Sequence, residues 1–163
     1  MLGARLTAGV RNALGAAWNA PNEVIGKAYG YLGVGVGRVL HAWTPDRREP
    51  EIRRGPGQTE FINNPFAAAG AITIGSNIVY GDDPYSPEGR RTWKGVEDRE
   101  GHPVWEHERQ HIVQARQLGP LYLPSNLLGG LNARLHGEDW HGPHNWNERG
   151  PQRNPPRPWA PLK

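Results

Sequence analysis

The sequence predicts an α+β fold in which a small sheet packs against one polar-striped helix. Two short β-prone runs at residues 70–75 and 77–81 indicate a hairpin or one bent strand. Residues 104–118 contain no glycine or proline and place apolar side chains beside a polar stripe, which is typical of a helix with one face in the core. A further apolar stretch at 121–135 predicts a second helix.

Residues 1–43 predict apolar, glycine-rich helices that either pack on the protein or lie against a membrane. The first, residues 1–20, is rich in alanine and leucine, and Arg11 makes it a poor signal peptide. The second, residues 23–43, repeats glycine every three or four positions, a spacing that lets helices pack closely. Its uncharged run at 28–37 is too short to span a bilayer, which needs about 20 residues. We expect a cytoplasmic or membrane-peripheral protein, and export stays open.

The rest of the chain divides into a predicted linker, a domain and a tail. Residues 44–57 are charged and punctuated by proline and glycine, which is typical of a linker. The domain would span 58–152, with a strand at 58–62 and a long polar loop at 82–102. Residues 153–163 form a proline-rich tail.

Composition restricts the kinds of site that the chain can form. The 163 residues include no cysteine, which excludes disulfides and zinc sites built on thiolates. The formal net charge of +3 is small, and no aromatic–basic repeat of the kind that binds single strands is present. We therefore expect no nucleic-acid partner, and any zinc ion would be held by His, Asp or Glu.

The segment from His107 to His111 spells HExxH inside the predicted helix. Residues four apart on a helix lie almost above one another, roughly 6 Å along the axis, so both imidazoles can bind one Zn²⁺. Glu108 would then lie beside the open coordination position, where a base is needed for an attacking water. The motif predicts a zinc-dependent hydrolase. The alternative is a polar helix that carries two histidines by chance.

A zinc site of this kind needs a third protein ligand. The HExxHxxGxxH pattern fails here, because Gln114 and Gln117 stand where the glycine and the third histidine would be. A glutamate from a later segment is the better alternative. The downstream candidates are His136, Glu138, Asp139, His141, His144 and Glu148.

These residues resemble a family of small bacterial HExxH proteins with gluzincin-like metallopeptidase domains, related forms of which occur in polymorphic toxins. The resemblance covers about residues 66–150 and rests on four segments, namely the strand at 70–75, HExxHxxQ at 107–114, GPLYLP at 119–124 and Asn145-Trp146-Asn147-Glu148. It implies a zincin-like minimal domain in which His107, His111 and Glu148 bind Zn²⁺ and Glu108 is the general base. His141 and His144 are the alternatives to Glu148.

We also expect a peptide or protein substrate. Tyr122, His144 or His141 would donate to the oxyanion, and the strand at 71–75 would present an edge to an extended peptide. The sequence departs from gluzincins after Glu148, because Gly150 and Pro151 end any helix there. The alternative function is a catalytically inactive, zinc-stabilised binding or toxin-associated domain, in which the chain itself fills the fourth position.

Overall fold

One long helix opens the chain. The computed structural model describes residues 2–67, 70–86, 92–93 and 102–162, and in it helix α1 spans Leu2–Trp43. The prediction of two separate N-terminal helices is therefore wrong, since α1 continues through Pro21. A proline costs a helix one backbone hydrogen bond. Contacts next to it offset that cost, because the Asn22 side chain donates to the carbonyl of Gly119 at 2.7 Å.

The sheet has four strands and mixed direction. Strands β1 (Glu51–Gly55), β2 (Gln58–Ile62), β3 (Ala71–Ile74) and β4 (Asn77–Tyr80) lie in the order β1-β2-β4-β3. β2 and β4 are parallel, and the other two pairs are antiparallel. The hairpin alternative for 70–81 and the strand at 58–62 are thus confirmed.

Two predictions of loops need correction. Residues 51–55 of the expected linker form β1. Two short strands, β5 (Thr92–Trp93) and β6 (His102–Pro103), pair with each other in the region of the expected loop. Residues 87–91 and 94–101 of that loop lie outside the described residues. Charge and proline content indicated a linker, but an edge strand tolerates charged side chains well. In β1, Arg53 pairs with Glu51 at 2.7 Å and with Asp83 at 3.1 Å.

Two helices follow the sheet and confirm the sequence prediction. Helix α2 spans Val104–Leu118, and helix α3 spans Tyr122–Leu135 after a single 3₁₀ turn. Gly119 ends α2 at a positive φ of 53°, which favours glycine, and its N–H donates to the carbonyl of Ala115.

The sheet lies between α1 and α2. Neighbouring residues of a strand point to opposite faces, so Phe61 packs on Val34 of α1 while Ile62 packs on Ile112 of α2. Both faces of the small sheet are therefore covered by helices. The described helices and strands together form a mixed α+β fold.

Glycines at positions 26, 30 and 33 of α1 lie on the face that meets the sheet and the turn after β2. A Cβ at Gly30 would overlap the ring of Phe61, and a Cβ at Gly33 would overlap the side chain of Asn64. Asn64 also donates to the carbonyl of Gly30 at 3.0 Å, which requires this close approach. The glycine repeat therefore serves packing on the sheet.

We expect Gly30→Val to destabilise the protein by about 1–3 kcal/mol, because the added side chain forces Phe61 out of a filled core. Gly35→Ala is the matched control on the same helix, since a Cβ there meets nothing within 4 Å. That change should raise the free energy of unfolding by about 0.5–1 kcal/mol through helix propensity. Urea unfolding measures both, and equal stability of the two variants would contradict the close packing.

Candidate metal centre

Three buried side chains converge beside α2. His107 and His111 lie one helical turn apart, and their Nε2 atoms are 3.2 Å from each other. Glu148 reaches them from the turns that follow α3, with Oε2 at 3.2 Å from His107 Nε2 and Oε1 at 3.5 Å from His111 Nε2. All three residues are buried, and their potential ligand atoms lie within 4.8 Å of one another.

This geometry fits a metal ion. Ligands at about 2.0–2.1 Å in a tetrahedral arrangement are roughly 3.3 Å apart, close to the spacing of these atoms. Glu148 Oε2 is buried, and the nearest polar atom in its described contacts is Nε2 of His107. A buried carboxylate oxygen in that position is what a cation would satisfy. The group could therefore hold a metal ion.

The charges of the group depend on one another. Burial alone would lower the pKa of His111, but the adjacent Glu148 carboxylate outweighs burial and raises the pKa of His111 to about 9. Burial likewise opposes ionisation of Glu148, yet the imidazoles of His111 and His107 hold its pKa well below the ordinary value. Glu148 is thus a carboxylate near neutral pH. Metal loading would require His111 to lose a proton.

Gln114 fixes the orientation of His111. Its Oε1 lies 2.8 Å from His111 Nδ1, and its Nε2 donates to the carbonyls of Asn147 at 2.7 Å and Pro158 at 2.5 Å. Because both amide hydrogens are used, Oε1 must accept, and the proton of neutral His111 belongs on Nδ1. His111 Nε2 is then left as the atom for a metal.

The predicted C-terminal tail is part of this arrangement. The Trp159 indole donates to Gln117 Oε1 on α2 at 2.5 Å, and the carbonyl of Pro158 accepts from Gln114. Gly150 admits the returning chain, because a Cβ there would overlap the backbone of residues 157–159. The tail therefore packs on the helix that carries both histidines.

Glu108 lies on the same helix, beside the group and facing a cleft of about 360 Å³. Its Oε2 accepts a hydrogen bond of 2.6 Å from the hydroxyl of Thr73 on β3. His107, His111, Glu148 and the whole of β3 also line this cleft. The base predicted from the sequence is thus placed next to the three potential ligands.

The structure separates the candidates for the oxyanion donor and for the alternative third ligand. Tyr122 and His141 line the cleft, and the Tyr122 hydroxyl donates to the carbonyl of Thr73 at 3.0 Å. His144 is not among the residues that line it. Its Nδ1 is 2.6 Å from Glu138, and its ring stacks on His136 with centroids 3.7 Å apart. His144 is therefore not one of the predicted residues that the structure brings to the cleft.

Sequence reasoning missed two contributors. Thr73 could have been suspected, because it alternates with apolar residues in a β-prone run before the HExxH helix. Pro158 carried no such signal, since it acts through its backbone carbonyl from a segment with no hydrophobic period. Glu148 stands in a series of turns, as Gly150 and Pro151 indicated.

Comparison with protein-family profiles, curated proteins and solved structures finds no match to this chain in any of the three. The resemblance to gluzincin-like HExxH proteins therefore stays an expectation from the sequence.

We expect Glu148→Ala to abolish stoichiometric metal binding, because two imidazoles alone hold a metal ion weakly. His144→Ala is the control and should bind one metal ion per chain, since its imidazole lies outside the cleft. Metal content after dialysis measures both. Retention of metal by Glu148→Ala together with its loss in His144→Ala would show that the site uses a third histidine.

We expect Gln114→Ala to weaken metal binding about 10–100-fold, because His111 loses the partner that fixes its ring. Gln110→Ala is the matched control on α2, since the Gln110 side chain bonds only the backbone of its own helix in the described contacts. Competition with a chelator measures the affinity. Equal affinities in the two variants would show that Gln114 does not orient His111.

Proposed function

We propose that this chain is a zinc-dependent hydrolase of the metallopeptidase kind, with a zincin-like domain and Glu108 as general base. The observation that carries the proposal is the buried His107–His111–Glu148 group opening on a cleft that Glu108 also lines. In this proposal Nε2 of each histidine and the carboxylate of Glu148 hold the metal.

The donor set supports zinc and a catalytic site. Two histidines and one glutamate are a known ligand set of catalytic zinc, whereas structural zinc sites usually have four protein ligands. Among the described residues, three potential ligands form this group, namely His107, His111 and Glu148. When bound at such a site, zinc supplies Lewis acidity and makes a water molecule acidic near neutral pH.

Glu108 would accept the proton of the attacking water and pass it to the leaving amine. Thr73 supports this role because its hydroxyl holds one oxygen of the carboxylate in a fixed direction. Tyr122 and His141 are the proposed donors to the oxyanion, and of these Tyr122 would have to exchange its bond to the Thr73 carbonyl for one to the substrate.

A peptide is the proposed substrate because β3 is an edge strand that lines the cleft. Its partner in the sheet is β4, and the Tyr122 hydroxyl reaches the Thr73 carbonyl from the other side. In an antiparallel pair, every second residue directs its backbone N–H and C=O to the same edge of the strand. The backbone groups of Ala71 therefore point away from β4, as those of Thr73 do. An extended chain could add there as a further strand.

We expect Glu108→Gln to keep one zinc per chain and to lower peptide hydrolysis about 10²–10⁴-fold, because the amide cannot accept the proton. Glu106→Gln, two residues earlier on α2, is the control and should retain activity. Hydrolysis of a fluorogenic peptide library, measured alongside zinc content, tests the pair.

Undiminished hydrolysis by Glu108→Gln would contradict the assignment of the base. A wild-type chain that binds zinc stoichiometrically but cleaves no peptide in the library would instead support the alternative, a zinc-stabilised binding or toxin-associated domain.

A further inference from the structure

The side of α1 that faces away from the sheet is apolar over much of its length. Ile25, Leu32, Val36, Val39 and Trp43 recur at spacings of seven, four, three and four residues, so they form one stripe. Their exposed fractions are 47%, 65%, 42%, 58% and 85%. We call this row the outer stripe. At 1.5 Å per residue it is about 27 Å long, and contiguous apolar surface of this kind usually marks an interaction site.

Cations lie on the other flank of the exposed side of α1. Lys27, Tyr31 and Arg38 form an exposed row roughly 130° around the helix from the stripe, and the exposed residues Val24, Ala28 and Gly35 lie between the two rows. The Tyr31 hydroxyl accepts a hydrogen bond of 2.8 Å from Arg54. The acidic residue of α1, Glu23, is directed to the sheet, where it accepts from the hydroxyl of Ser76 at 2.6 Å. The outward side of the helix therefore combines apolar and cationic side chains.

Aromatic residues extend the same surface. Trp43 is the last residue of α1, and Trp18, seven residues before Ile25 on the same side of the helix, is 48% exposed. Beside the stripe, the rings of Tyr29 and Phe66 lie 5.2 Å apart, and Phe66 is itself exposed. Tryptophan and tyrosine favour the boundary between water and lipid, because their rings join an apolar body to a polar group.

We propose that the outer stripe docks on an anionic lipid bilayer, with α1 lying parallel to the membrane surface. This inference is independent of the proposed hydrolase function. No described helix is long and apolar enough to cross a membrane, so contact would be in the plane of the interface. The aliphatic stems of Lys27 and Arg38 would lie along the lipid boundary while their charges reach the phosphates.

Charge favours the bilayer over a second copy of the chain as the occupant. Pairing two outer stripes would offer Lys27 and Arg38 no acid from the partner's α1, because Glu23 points to the sheet in each copy. A surface of anionic headgroups supplies the opposite charge, about a fivefold gain in partitioning for each cation.

The test is co-sedimentation of the full chain with vesicles of phosphatidylcholine, with and without about one-third phosphatidylserine. We expect binding to the anionic vesicles and a loss of at least about tenfold in Leu32→Glu, which places a charge in the apolar boundary. Leu135→Glu is the matched control, because Leu135 is a leucine with 85% exposure on α3. It should bind like the wild-type chain.

A double variant, Lys27→Gln with Arg38→Gln, tests the charge separately. It should bind anionic vesicles about 25-fold more weakly, at fivefold for each cation, and bind neutral vesicles unchanged. All substituted side chains are exposed, and circular dichroism checks that the fold is retained.

Three results would overturn the proposal. They are failure of the wild-type chain to bind anionic vesicles, equal losses in Leu32→Glu and Leu135→Glu, and a dimer in sedimentation velocity that Leu32→Glu dissociates. The last result would assign the outer stripe to a second copy.

Discussion

The burial of Glu148 against two histidines is the constraint on which the site depends. A carboxylate removed from water is costly unless it is paired, and its closest partners in the structure are the imidazoles of α2. The turns that carry Glu148 after α3 contain no helix or strand of their own. Their position is fixed by polar contacts, so the ligand and the segment that carries it depend on the same interactions.

Gln114 shows how few groups connect the parts of the site. One amide on α2 joins His111, the Glu148 segment through Asn147 and the tail through Pro158. An apolar residue at this position could pack equally well but would leave two backbone carbonyls without donors. The buried polar network thus specifies one arrangement of three segments that are far apart in the sequence.

The bounds of helix α2, which carries both histidines, could be predicted closely, whereas the segments that pack against it at the site could not. Residues 104–118 are free of glycine and proline, and Gly119 with Pro120 marks the end, so α2 follows from local signals. The return of Pro158 to Gln114 spans 44 residues and involves a backbone atom, which no side-chain pattern reveals. The potential ligand Glu148 was identified by the motif at 145–148, and the sequence could not decide between it and nearby histidines.

Predictions failed where local composition and tertiary contacts conflict. The different compositions of 1–20 and 23–43 indicated two helices, and the charges of 44–57 indicated a linker. Both signals are local, and neither includes the tertiary contacts that each segment makes in the fold. In the fold, α1 is held on either side of Pro21, and β1 gains a full register of pairing with β2, from Glu51 opposite Ile62 to Gly55 opposite Gln58.

Helix α1 links its outer surface to the site by way of its inner face. Asn22 holds the carbonyl of Gly119 at the end of α2, and Glu23 accepts from Ser76 in the turn between β3 and β4. These are ends of the two elements that form opposite walls of the cleft. The inner face of α1 therefore fixes the spacing between α2 and the edge strand β3, while its outer side stays exposed. One helix with two apolar sides can serve both purposes because glycine lets the inner side approach the sheet closely, whereas the bulky residues project outward.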